Sequence, residues 1–175
     1  MTALAALVAR ELRRPAAADI VALAAHLREA LGGEAVLFYG SALRTDSLDG
    51  VLDFYVLHAD PAGTRPKWAF LWPRVSYHEH EINGRIVRAK VAAMPLATFE
   101  AAARGDTLDT TIWARFAQPA RLLIAATPVV EQRVVAAVCD CVRTALRFAA
   151  ALGPVSGNAE AYWLELFAHT DGAEL

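Results

Sequence analysis

The stretch RVSYHEHEINGRIVRAKVAAM, residues 74 to 94, constrains the fold more than any other. Two runs of alternating apolar and polar residues meet at Asn83-Gly84. Alternation with period two puts one set of side chains on each face of a strand. Asn-Gly tolerates positive φ at both central positions, so this pair predicts an antiparallel hairpin closed by a type I′ turn. A chain that must hold such a hairpin needs a sheet to receive it.

The rest of the sequence supplies that sheet and its cover. Helical periodicity fills residues 2–13, Pro15 breaks it, and AADIVALAAHLREALGG reads as a second helix closed by Gly32-Gly33. EAVLFY and VLDFYVLH are apolar, β-branched and aromatic runs that predict buried strands. The connector GSALRTDSLDG between them is a turn with room for a helical turn, and ADPAGTRP is loop. After Pro95 the pattern turns helical twice (PLATFEAAARG and TLDTTIWARFAQP), passes through a short strand in ARLLIAA, and enters a long helix from Pro128 to Leu152. Gly153-Pro154 ends it, and NAEAYWLELFAH gives a last helix. The expected class is α+β: a small mixed sheet wrapped by helices, as one domain over 1–175, with N-terminal helices in 1–33, a sheet core in 34–125 and C-terminal helices in 126–175.

Bulk properties narrow the function classes. A hydrophobic fraction of 56% excludes a disordered chain, and a net charge of −2 argues against a general nucleic-acid binder, which rests on a basic surface. Cys139 and Cys141 have no second Cys/His pair to form a zinc site, so packed, reduced thiols are expected. The most apolar long stretch, VVAAVCDCVRTALRFAAALG, is interrupted by Asp140, Arg143 and Arg147, so no spanning helix is expected. The amphipathic N-terminus imitates a mitochondrial presequence, but Glu11 and the continuation into a second helix favour a folded helix. The expectation is a cytoplasmic protein, with a peripheral position at the inner face of a membrane left open.

The chemistry concentrates in VLFYGSALRTDSLDGVLDFYVL, residues 36 to 57. A strand runs into Gly40-Ser41, and the next strand carries one acid, Asp53, in an otherwise greasy run. Glycine lets backbone approach a triphosphate closely, and serine adds a hydroxyl donor. A carboxylate on the neighbouring strand can hold Mg²⁺ against phosphate oxygens. This is the plan of a nucleotidyltransferase site, with Asp53 as metal ligand. Such sites generally carry Asp-x-Asp, and here the first position is Val51. Asp46 and Asp49 in the connector are the acids that can substitute, and Asp49 is the expected second ligand. The structural alternative makes Asp53 a satisfied core acid or a turn cap.

These residues also resemble a family. YGSAL…VLDFYVLHADP is similar to the corresponding segment of the mitochondrial-type phosphatidate cytidylyltransferases, the peripheral CDP-diacylglycerol synthases, whose segment likewise has a single acid before the aromatic. VSYH…INGRIVRAKVAAMPLATF, TLDTTIWARFAQPARLL and the closing YWLELFAHTDGAEL resemble later blocks in the same order, so the likeness runs from about residue 36 to the C-terminus. Family members continue into a further helical region and a membrane-binding part without counterpart here.

The resemblance implies roles. Gly40 and Ser41 bind the triphosphate of CTP, and Asp53 coordinates Mg²⁺. Arg88 falls where the family has a strand lysine, which implies a catalytic residue facing phosphate. Arg115 matches the arginine of the Gly-Arg-x-x-Lys-Pro block, and its planar fork suits bidentate phosphate contact. Lys90 replaces a family glycine, shares a strand face with Arg88 and is the further expected nucleotide-binding residue. Asn83-Gly84 is read as the turn alone. The implied reaction moves CMP from CTP to a lipid phosphate such as phosphatidate, with a membrane surface as a partner and no nucleic acid. The alternatives are a nucleotidyltransferase with a protein, RNA or small-molecule acceptor, and a catalytically degenerate domain that only binds.

Other features read as structural. His78 and His80 face one way on their strand and Glu79 and Glu81 the other, with no third metal ligand at useful spacing. Trp68, Phe70 and Trp72 are packing or the lining of a cleft. Tyr162, Trp163 and Phe167 are core or a partner contact. Ser41 lacks the Gly-x-Ser-x-Gly elbow of a serine hydrolase.

Overall fold

The computed structural model describes residues 2–45, 50–60, 73–107 and 110–171. Two helices come first, α1 (Ala3–Leu12) and α2 (Ala18–Leu31), then β1 (Ala35–Tyr39), the short α3 (Ala42–Thr45) and β2 (Val51–His58). The hairpin follows as β3 (Arg74–Ile82) and β4 (Arg85–Pro95). The chain continues through α4 (Leu96–Ala103), α5 (Thr111–Phe116), β5 (Ala120–Ala125), α6 (Pro128–Leu152) and α7 (Ala159–Asp171).

The five strands form one mixed sheet in the order β3-β4-β2-β1-β5. All pairings are antiparallel except β2 with β4, which run parallel. The expected α+β class is therefore what the chain adopts. The hairpin turn is also as expected: Asn83 has φ 53° and Gly84 φ 77°, the two positive values that a type I′ turn demands. Ile82 pairs with Arg85 on either side of it.

Each face of the sheet has its own core. On one, Val36, Phe38, Leu52, Phe54, Val56, Val87, Ala89 and Val91 pack against Ile20, Leu23, Ala24 and Leu27 of α2. On the other, Leu37, Tyr55, Leu57, Ala92 and Met94 meet α1, α4, α5 and α6, with Phe99, Trp113 and Phe116 fully buried among them. Removing each such large side chain from water contributes roughly 2 kcal/mol, so this double layer dominates stability.

Local signals fix the helix ends. Thr127 caps α6 by accepting from the Val130 amide at 3.2 Å, and Pro128 opens the helix where its missing N–H costs nothing. Gly32 closes α2 in the left-handed region at φ 68°. Among the described residues no helix is long and apolar enough to cross a membrane. Cys139 and Cys141 are free and buried, as expected.

Candidate active site at the edge of the helical cover

The helices do not cover their face of the sheet completely. Along β2, Leu57 and Tyr55 are buried, Asp53 is half-buried, and Val51 is 47% exposed. Along β4, Met94 and Ala92 are buried, Lys90 is half-buried and Arg88 is exposed. The cover thins at the same level on both strands, and polar side chains collect there because buried ones would lose hydration without compensation.

Strand register sets which side chains meet. Tyr39 of β1 lies opposite Asp53 of β2, Asp53 opposite Lys90 of β4, and Lys90 opposite Tyr77 of β3. These four residues form one row across the sheet on the same face. The next row toward the open end carries Val51, Arg88 and Glu79.

Gly40 follows Tyr39 with φ 94°, a conformation that disfavours any side chain. A Cβ placed there would sit 2.9 Å from Oδ2 of Asp53. The missing side chain is thus the space that the carboxylate faces. The Gly40 carbonyl accepts from the Leu43 amide at 3.2 Å, which turns the chain into α3, and Ser41 is exposed on that turn.

Burial pushes the Asp53 carboxyl above the ordinary aspartate range, and Lys90 and Arg115 pull in the opposite direction. Desolvation prevails, so these two cations only partly offset the cost of the buried charge. Arg115 reaches the row from α5. Its guanidinium carbon lies 5.9 Å from the Tyr39 ring centre, and Nη1 donates to the Tyr55 hydroxyl over a long 3.5 Å. Tyr55 is itself buried edge-on against Phe116, with ring centres 5.1 Å apart. This aromatic bed holds Arg115 within electrostatic reach of Asp53.

The fold thus brings Gly40, Ser41, Asp53, Lys90 and Arg115 to one end of one face. Arg88 shares that face but stands one row beyond Asp53, where its Nε donates to Glu79 at 2.8 Å in an exposed ion pair. Asp46 and Asp49 lie outside the described residues, as do Trp68, Phe70 and Trp72. No group of three His, Cys, Asp or Glu suited to a metal occurs among the described residues. His78 and His80 turn half-buried toward α2, where His80 stacks on His26 with ring centres 3.9 Å apart. Tyr162 packs against Gly153, and Trp163 stacks on Phe167, so these aromatics serve packing.

Sequence reasoning passed over Tyr39, Tyr55 and Tyr77. Tyr77 was accessible to it, because a two-residue turn after Ile82 fixes Tyr77 opposite Lys90. Tyr39 and Tyr55 carry no comparable local signal. Compared with known proteins, the chain matches no protein-family model and no curated protein.

Proposed function

We infer that the chain is a metal-dependent nucleotidyltransferase that moves CMP from CTP to a lipid phosphate such as phosphatidate. The observation that supports this best is the approach of Gly40 to Asp53: a carboxylate set against a residue with no side chain, at the partly open end of a sheet. The donor chemistry fits a hard cation. Asp53 is a half-buried oxygen ligand whose charge two neighbouring cations leave under-compensated. Bound at Asp53, Mg²⁺ would supply charge neutralisation for the phosphates and the departing pyrophosphate.

The chain's own residues would do the rest. The Gly40-Ser41 turn would hold the triphosphate by close backbone approach and a hydroxyl donor. Lys90 and Arg115 would face the phosphate oxygens and spread negative charge as the α-phosphorus changes partners. The lipid phosphate oxygen would attack that phosphorus in line. As an already anionic nucleophile it needs no strong base. The acceptor class rests on the resemblance of residues 36 onward to lipid-phosphate cytidylyltransferases.

A second reading draws on Val51. It occupies the place of the usual first acid, on the same face as Asp53 and beside Arg88. A domain that lost its second ligand would bind nucleotide without transferring it.

One experiment separates these readings. The melting temperature is measured with each of the four nucleoside triphosphates, with and without Mg²⁺, for the wild type and Asp53→Asn. Metal-dependent stabilisation by CTP over ATP, lost in Asp53→Asn, together with label transfer from CTP to phosphatidate vesicles, is the expected result. CTP stabilisation without transfer to any lipid phosphate favours the binding domain. Absence of any nucleotide response overturns both.

A further inference from the structure

The row through Asp53 does not end at Lys90. Tyr77 is the next member, on the edge strand β3, and its side chain points to the same face. It is 72% exposed, the most open aromatic ring among the described strands. Tyr39, at the other end of the row, differs in kind. Its ring is half-buried between Tyr55 and Phe116, at 5.4 and 5.5 Å, with the Arg115 guanidinium over it. One tyrosine of the row is committed to holding an arginine. The other presents a ring to whatever occupies the open end of the face.

We propose that Tyr77 is the stacking platform for the nucleobase of the triphosphate bound at Gly40, Ser41 and Asp53. This deepens the nucleotidyltransferase reading and rests on it. The distances suit the ligand. Neighbouring strands are about 4.8 Å apart, so Tyr77 stands roughly 10 Å from Asp53, two strand spacings along the row. A nucleotide whose α-phosphate lies near Asp53 extends its sugar past Lys90 and its base to about that reach. Lys90, set between them, meets the phosphate and ribose end, whereas Tyr77 offers a flat, amphipathic surface with a polar tip. Val75, two residues earlier on the same face and 48% exposed, extends this apolar floor. The Arg88–Glu79 ion pair flanks the row on its open side.

Stacking is tolerant of base identity, because every base has a π-face. Tyr77 therefore adds affinity for the nucleoside and leaves the choice among bases to other contacts. That separates it from a residue that merely keeps the sheet in shape, and from one that reads cytosine edges.

The test compares the full chain with Tyr77→Ala and Tyr77→Phe, with Mg²⁺ present, binding CTP, ATP and inorganic tripolyphosphate. A ring this exposed can be truncated without loss of folding, which a melting curve verifies. Tyr77→Ala is expected to weaken CTP and ATP by the same factor, about tenfold, and to leave tripolyphosphate unchanged. Tyr77→Phe, which keeps the ring, stays close to wild type. The stacking role is overturned if Tyr77→Ala binds CTP normally, if tripolyphosphate weakens equally, or if the wild type holds CTP no better than tripolyphosphate. In each of these cases the phosphate site at Asp53 still stands. A wild type that binds neither CTP nor tripolyphosphate removes the nucleotidyltransferase reading itself, and the platform with it.

Discussion

Gly40 and Asp53 occupy one another's space: the position a Cβ would take on Gly40 lies 2.9 Å from the Asp53 Oδ2. The pairing of Tyr39 with Asp53 places them, since the residue after Tyr39 then passes directly beside the carboxylate. The positive φ of 94° favours glycine here, and a Cβ would in addition displace the carboxylate oxygen.

Gly40→Ala should therefore displace the Asp53 carboxylate as well as strain the backbone. The suitable control is Gly32→Ala at the end of α2, where φ is 68° and a Cβ would meet nothing within 4 Å. Left-handed backbone alone costs an alanine about 1 to 2 kcal/mol, so Gly32→Ala should lower stability by that amount and leave nucleotide binding intact. Gly40→Ala should lose at least as much stability and also the Mg²⁺-dependent response to CTP. Chemical denaturation and the nucleotide melting series read both effects.

Asp53→Asn should separate stability from function. The carboxyl is raised by burial more than Lys90 and Arg115 lower it, so the folded chain binds this proton more tightly than the unfolded chain does. The sign follows: its contribution is most favourable below about pH 4, the unfolded value, and is lost as pH rises through the folded value. At neutral pH in EDTA the ionised group is a cost, so Asp53→Asn should melt at or above the wild-type temperature. The difference should close as pH falls below about 4, while metal-dependent binding is absent in the variant throughout. A variant markedly less stable than wild type at pH 7 would show that the carboxylate is instead a structural partner.

How much of this was legible in the sequence depends on how local each signal is. The hairpin was, because Asn83-Gly84 is a chemical statement about φ, and a two-residue turn also fixes Glu79 opposite Arg88. The helices were, because Pro128 and Gly153 bracket a 3.6-residue period. Strand order was not. Placing β3 outside β4, and β4 parallel to β2, depends on long-range pairing that no window of sequence contains. Asp53 was conspicuous as an acid in an apolar strand. The arrival of Arg115 beside it depends on where α5 packs, and on Tyr39 and Tyr55, whose types alone suggest only core.

The long helix α6 is tied to the rest of the helical layer through Arg133. Its guanidinium donates to Glu100 Oε1 at 2.8 Å and Oε2 at 2.9 Å, and to Asp60 Oδ2 at 2.8 Å. Asp60 also accepts from the Ala97 amide at 2.7 Å, in the first turn of α4. Glu100, and then Asp60, hold the arginine firmly protonated against the opposing effect of burial. Arg133→Ala leaves two carboxylates facing each other without their cation. Since all three groups retain some solvent, the expected loss is about 1 to 2 kcal/mol, less at high salt. Denaturant midpoints at low and at molar NaCl would show it.

The two thiols offer a last, independent check on the buried layer. Cys141 is fully buried and Cys139 nearly so, both on the α6 face that meets the helical core. Burial pushes both thiols above their ordinary range, Cys141 furthest, so the reactive thiolate is scarce as well as hidden. A disulfide reagent at pH 8 should find almost no reactive thiol in the native chain and two per chain in denaturant. The native rate should follow global opening, slowing in step with any stabilising ligand. Prompt labelling of either cysteine in the native state would mean that α6 does not pack as described, and the positions of Phe116 and Arg115, which depend on the same layer, would fall with it.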